Sequence, residues 1–186
     1  MRPEFEAFPK ISRLRRGCCI TEKIDGTNAA VVITEESLAV GELYTQSRSR
    51  YITPEDDNYG FARWAQEHRE ELLGLGVGRH FGEWWGNGIQ RKYGLTEKRF
   101  SLFNVARWAD GRQPRPACCH VVPTLYYGEF DTRKVNDAIE QLRVGGSVAA
   151  PGFMSPEGIV VWHDAARLLF KMTIEKDEEP KSKEAA

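Results

Sequence analysis

Two short apolar runs, Cys18 to Ile24 and Asn28 to Ile33, flank Asp25-Gly26-Thr27. They read as two strands joined by a tight turn, and strands this short cannot form a core without others. The chain supplies the others. Leu38 to Tyr44, Phe81 to Trp85, Phe100 to Arg107, Ile159 to His163 and Leu168 to Ile174 are further strand candidates. Asp164-Ala165-Ala166 is placed to close a hairpin between the last two. Two helices interrupt the series. Asn58 is expected to cap one over about 59–73, with Phe61, Trp64, Ala65, His68 and Leu72 on one face. Asp131 is expected to cap another that runs to about Arg143, with Val135, Ala138, Ile139 and Leu142 inward and Gly145-Gly146 stopping it. Runs of strands with a few interposed helices predict an α+β domain of mostly antiparallel sheets.

The size agrees with that. A chain of 186 residues with 41% apolar content holds one domain with a real core and scarcely two. The domain is expected over 1–175, followed by a charged, flexible tail at 176–186. No stretch is apolar and long enough to span a bilayer, and Met1-Arg2-Pro3-Glu4-Phe5 lacks an apolar signal core. A cytoplasmic protein without a membrane partner is expected. A net charge of −1 gives no sign of a polybasic binding mode. Basic residues do cluster locally, at Arg13, Arg15 and Arg16, at Arg48 and Arg50, and at Arg91, Lys92, Lys98 and Arg99. Each cluster alone reads as a solvated face. The cysteines form two adjacent pairs, Cys18-Cys19 and Cys118-Cys119, with no C-x-x-C spacing. Buried small hydrophobes are favoured over a zinc site completed by His120.

Lys23 ends an apolar strand just before a turn, which delivers an amine into a cleft with little freedom. A lysine attacks phosphorus only when neutral, a state that neighbouring cations or a metal favour. Gly26 lets backbone approach a ligand closely. Lys-x-Asp-Gly alone is as well explained by an ordinary hairpin with an exposed lysine. Other residues add weight. Glu83, beside the Gly-rich Trp84-Trp85-Gly86-Asn87-Gly88, suits a ribose hydroxyl. Phe103 suits either a base stack or a core position. Glu157 opens an apolar strand, where it can hold a metal or orient Lys23. Lys171 interrupts another apolar strand and either snorkels out or points at a phosphate.

Taken in order, these segments resemble the covalent lysine nucleotidyltransferase superfamily of polynucleotide ligases and capping enzymes. The five are Lys23-Ile24-Asp25-Gly26, Phe81-Gly82-Glu83-Trp84-Trp85-Gly86, Phe100-Ser101-Leu102-Phe103-Asn104-Val105, Pro156-Glu157-Gly158-Ile159-Val160-Val161 and Phe170-Lys171-Met172. Thr27-Asn28 after the glycine, Gly86-Asn87-Gly88-Ile89-Gln90 and Gln46-Ser47-Arg48-Ser49-Arg50-Tyr51-Ile52-Thr53-Pro54 are similar to the RNA ligase branch that repairs nicks and breaks. The resemblance implies a ligase adenylation domain of ATP-grasp-like type. It implies ATP and Mg2+ or Mn2+ as cofactors, and nicked or broken RNA as the partner. It makes Lys23 the nucleophile that takes AMP. Glu22 and Ile24 then lie at the nucleotide pocket, Glu22 through its backbone. Asn28 and Arg48 contact phosphate or metal-bound water, with Arg48, or Arg50 in its place, later meeting the RNA 5′-phosphate. Glu83 binds ribose, Phe103 stacks on adenine, Glu157 assists the metal and Lys171 holds the α-phosphate.

The family often ends with two lysines one residue apart, whereas here Leu169 and Thr173 flank Lys171 at that spacing. The chain is also short for a full ligase, which implies a near-minimal catalytic domain that needs a partner protein to seal ends. Two alternatives stand beside an RNA ligase. One is a minimal DNA ligase or GTP-using capping-type enzyme. The other is a non-catalytic module that binds nucleotide or RNA ends.

Overall fold

The computed structural model describes residues 3–109, 113–175 and 177, so nearly all of the tail at 176–186 lies outside the described residues. Ten strands and five helices follow in order. They are β1 (Gly17–Lys23), β2 (Thr27–Ile33), α1 (Glu35–Ala39), β3 (Tyr44–Ser47), β4 (Tyr51–Ile52), α2 (Phe61–Glu67), α3 (Arg69–Leu73) and β5 (Gly78–Gly86). Then come β6 (Lys98–Leu102), α4 (Val105–Trp108), β7 (Cys119–Val121), β8 (Thr124–Glu129), α5 (Thr132–Gly145), β9 (Gly158–His163) and β10 (Leu168–Thr173). The protein is α+β, with two sheets ordered β10-β9-β1-β8 and β4-β3-β2-β5-β6-β7. Every ladder is antiparallel except β6 with β7.

β1 and β2 do not pair with each other. β1 lies between β8 and β9 in one sheet, and β2 between β3 and β5 in the other. Asp25-Gly26 is thus a crossover between sheets, not a hairpin. Both strands are interior to their sheets and nearly all buried, which is why both read as continuous apolar runs.

Alternation of side chains assigns the faces. Cys18, Ile20, Ile159 and Val161 point to one face of the four-stranded sheet and pack on Ala138, Ile139 and Leu142 of α5. Ala29, Val31, Ile33, Trp84, Phe100 and Leu102 point to one face of the larger sheet, against Phe61, Ala62, Ala65 and Leu72 of α2 and α3. A third apolar cluster, containing Ile24, Trp85, Tyr93, Val122 and Ala150, lies beneath the crossover.

Several expectations are corrected. Leu38 to Tyr44 is not a strand: Thr34 caps α1 in a reciprocal box with Ser37, and β3 begins only at Tyr44. The helix expected over 59–73 is two, broken at His68, whose ring donates to the Trp64 carbonyl. Its first turn is held by Asp57, which accepts from the N–H groups of Asn58, Ala62 and Arg63, while the Asn58 side chain donates to Thr27. The run from Phe100 to Arg107 leaves the sheet after Leu102 and turns into α4, capped by Asn104. β7 and β8 lack a clear apolar alternation and were not anticipated. The Asp131-capped helix and the hairpin of β9 and β10 form where expected.

Candidate active site

Lys23 ends the strand that lies between β8 and β9, and its register partner on β9 is Gly158. That pairing sets Glu157 beside it. The Lys23 Nζ donates to Glu157 Oε2 at 2.5 Å, and the carboxylate is only 4% exposed. Gly158 permits the approach of β10, because a Cβ there would meet the Met172 carbonyl oxygen at 2.2 Å.

The crossover after Lys23 is tied down at each residue. The Gly26 N–H donates to Glu83 Oε1 at 3.1 Å, and the Asp25 N–H donates to the Tyr93 hydroxyl at 2.8 Å. Arg91 Nε donates to Asp25 Oδ2 at 3.1 Å, and its Nη1 donates to the Ser155 carbonyl at 2.9 Å. One arginine therefore joins the turn to the segment that carries Glu157. A Cβ on Gly26 would lie 2.4 Å from the Trp84 carbonyl oxygen and 2.7 Å from Trp85 Cβ. The glycine is required by this close approach of backbone to strand β5.

Glu83 sits on β5 in register with Asn28 on one side and Ser101 on the other. Burial pushes its carboxyl up from 4.5 to about 7, with Lys23 and the Gly26 N–H opposing and Glu157 and Asp25 adding to the rise. Phe103 follows β6, two residues beyond Ser101, and so shares the Glu83 face. Its N–H donates to the Phe81 carbonyl at 3.0 Å, and its ring is 39% exposed. Lys171 lies two register positions from Lys23 and so on the same face, since Thr21, Val160 and Lys171 align across β1, β9 and β10.

The remaining expected residues divide. Ile24 is buried in the third apolar cluster, so its backbone is the part within reach of a ligand. The Glu22 side chain is 1% exposed and accepts from Ser147 Oγ at 2.6 Å and from the N–H groups of Val148 and Ala149 at 2.8 and 2.9 Å. Burial raises its carboxyl while these bonds oppose the rise. Asn28 faces the site beside Glu83. Arg48 is exposed in the loop after β3, with no hydrogen-bond partner among the described residues. Arg50 is committed elsewhere, donating to Asp56 Oδ2 at 2.6 Å and to the carbonyls of Tyr51 and Asp56.

Three contributors were missed. Arg91 read as part of a solvated basic run, Tyr93 carried no signal, and Ser147 meets Glu22 only through the fold. The cysteines are all unbridged: Cys18 and Cys19 lie on β1 in the smaller sheet, Cys119 on β7 in the larger one, and Cys118 in the turn before it. Among the described residues no group of three or more His, Cys, Asp or Glu is arranged to hold a metal, and no helix is long and apolar enough to cross a membrane.

Residues 17–173 match the family described as RNA ligase. This chain belongs to the RNA ligase family. No curated protein sequence matches it. Its fold is similar to that of solved RNA ligase structures from Naegleria gruberi. A mutant without ligand superposes with a TM-score of 0.60 at 18% identity, covering 88% of this chain and 52% of that one. A mutant with AMP and Mn gives 0.57 at 19% over the same shares. One with ATP and Mn gives 0.55 at 18%, covering 84% of this chain and 49% of that one. This RNA ligase family member thus spans about half the length of those proteins.

Proposed function

We propose that this domain is an ATP-dependent RNA ligase that works through a covalent lysyl-AMP on Lys23. The observation that carries the reading is the pairing of Lys23 with the buried Glu157 at a crossover held by Glu83. A nucleophilic amine needs a fixed direction and a group to take its proton, and Glu157 supplies both. In the first step the neutral Lys23 Nζ bonds to the α-phosphorus of ATP, the bond to the β-phosphate oxygen breaks, and pyrophosphate leaves. An oxygen of an RNA 5′-phosphate then attacks the same phosphorus and releases Lys23. Finally an RNA 3′-hydroxyl attacks the 5′-phosphorus and expels AMP.

The residue roles are those that the family resemblance implies, and the placement of the side chains supports them. Glu83 accepts from the ribose, Phe103 stacks on adenine, and backbone at Glu22 and Ile24 borders the base. Asn28 and Lys171 meet phosphate oxygens, and Arg48 is free to meet the RNA 5′-phosphate. Mg2+ is commonly held by one or two carboxylates plus substrate phosphates, so Glu157 with Glu83 nearby fits such an ion although there is no three-carboxylate cage among the described residues. When bound, Mg2+ or Mn2+ would offset the charge on the phosphates. The similar Naegleria structures, with ATP and Mn or AMP and Mn, support this choice of ligands. A role in RNA repair, a cytoplasmic setting and help from a partner protein in sealing complete the reading.

Intact-mass measurement after incubation with ATP and Mg2+ tests the proposal. An AMP adduct is expected in the wild type and absent in Lys23→Ala. No wild-type adduct, or one that persists in Lys23→Ala, would overturn it. GTP in parallel, then nicked RNA and nicked DNA, separate the capping-type and DNA-joining alternatives.

A further inference from the structure

The face of the larger sheet that carries Glu83 continues well beyond it. Gln46 pairs with Tyr51 on one side and with Ala30 on the other, and Ala30 pairs with Phe81. The Phe81 carbonyl in turn accepts from the Phe103 N–H. These residues form one row across the sheet, adjacent to the row of Asn28, Glu83 and Ser101. In the next row outward, Val32 pairs with Tyr44 on one side and Arg79 on the other. The opposite face of the sheet packs against helices. This one leaves Tyr44 48% exposed, Tyr51 57% and Phe81 43%.

Two adjacent tyrosine rings, with Phe81 on the same face beyond the intervening strand β2, are costly to leave in water unless they have an occupant. The surroundings identify its chemistry. Tyr44 and Tyr51 sit edge to face with centroids 6.4 Å apart, which holds them in place. Arg79, exposed, donates to the Tyr51 hydroxyl at 3.3 Å and so keeps a guanidinium among the rings. Arg48 stands exposed in the loop that joins β3, which carries Tyr44, to β4, which carries Tyr51. Aromatic rings interleaved with arginine suit a strand of unpaired nucleotides, in which bases stack on rings and phosphates meet cations. A purely apolar protein partner would not call for the cations.

We propose that Tyr44, Tyr51 and Phe81, with Arg79, form a stacking platform for unpaired bases of the RNA strand whose end enters the site. This rests on the ligase reading for its location, because the platform is continuous with the row that holds Glu83. The rings take bases without regard to sequence, since every base has a flat face. The platform would therefore set strand register and not sequence preference.

The full chain and a fluorescent single-stranded RNA of about ten nucleotides test this by anisotropy. Tyr51→Ala and Tyr44→Ala are each expected to weaken binding about tenfold, the scale of one lost base stack. Thermal melting should be unchanged, because both rings are half exposed. Tyr51→Trp, which restores a ring but not the hydroxyl, should return affinity to the wild-type level. Ultraviolet crosslinking of the same RNA to the wild type, read by peptide mass, needs no variant and should mark peptides from β3, β4 and β5. Wild-type affinity in both alanine variants, no RNA binding by the wild type, or crosslinks confined to other segments would overturn the platform. The AMP adduct of the wild type is scored separately. Its absence defeats the ligase reading, whereas an adduct together with unaltered RNA affinity in the variants defeats the platform alone.

Discussion

The carboxylate of Glu22 and the hydroxyl of Ser147 meet at 2.6 Å across 125 residues of chain. With the Val148 and Ala149 N–H groups, Ser147 gives the buried carboxylate three donors, and the loop between α5 and β9 is thereby fastened to the strand that ends in Lys23. Glu22→Ala removes the acceptor and strands those donors. A stability loss of about 3 kcal/mol is expected by urea denaturation, given the usual worth of hydrogen bonds to a buried charge. A midpoint equal to wild type would show that the loop is held by other means.

Glu83 makes stability depend on pH in a defined direction. Its carboxyl titrates at about 7 in the folded protein against 4.5 for the free group, because burial disfavours the charge. The folded state therefore keeps a proton that the unfolded chain has already released. The contribution is fully present below 4.5 and is lost as pH rises through about 7, a difference of about 3 kcal/mol. Glu83→Gln cannot lose that proton. Its stability relative to wild type should rise by this amount from about pH 4 to pH 8. A constant difference across the range would exclude the mechanism.

Much of this site can be read locally. Glu83 and Glu157 each stand next to glycine, Lys23 stands three residues before Gly26, and all three lie on an apolar strand or at its end, so those short segments carry their own chemistry. The pairings between them cannot be read so. Lys23 reaches Glu157 across 134 residues, and Arg91 reaches Asp25 across 66. Secondary structure failed where a local polar contact outweighed hydrophobic pattern. Thr34 with Ser37 made a helix start beside an apparent strand, and Asp57 displaced Asn58 as the group that holds a helix end. β8 went unseen because its residues are half-exposed or exposed throughout, so no alternation marks it.

Glu157→Gln preserves volume and a hydrogen-bonding atom but cannot accept a proton from Lys23. The rate of AMP adduct formation should fall on the order of a hundredfold, since a misdirected or protonated amine attacks poorly. Stopped-time mass spectrometry gives that rate. An unchanged rate would remove Glu157 from the first step.

Two glycine substitutions are expected to behave oppositely. Gly26→Ala forces a methyl against the Trp84 carbonyl and Trp85, and should cost about 1–3 kcal/mol and slow adduct formation. Gly145, the last residue of α5, has open space where a Cβ would go. Gly145→Ala should be neutral or stabilising by up to about 1 kcal/mol. Thermal melting of the pair distinguishes a crowded turn from a general intolerance of side chains at glycine.

The central strand of the smaller sheet has a consequence for synthesis. β1 is made before both of its neighbours, β8 and β9, which come more than a hundred residues later. Until residue 163 has left the ribosome, Lys23 has neither a flanking strand on that side nor Glu157 in its final position. The pairing of Lys23 with Glu157 is therefore a late event of folding, completed only when the segment that closes the hairpin of β9 and β10 has been made.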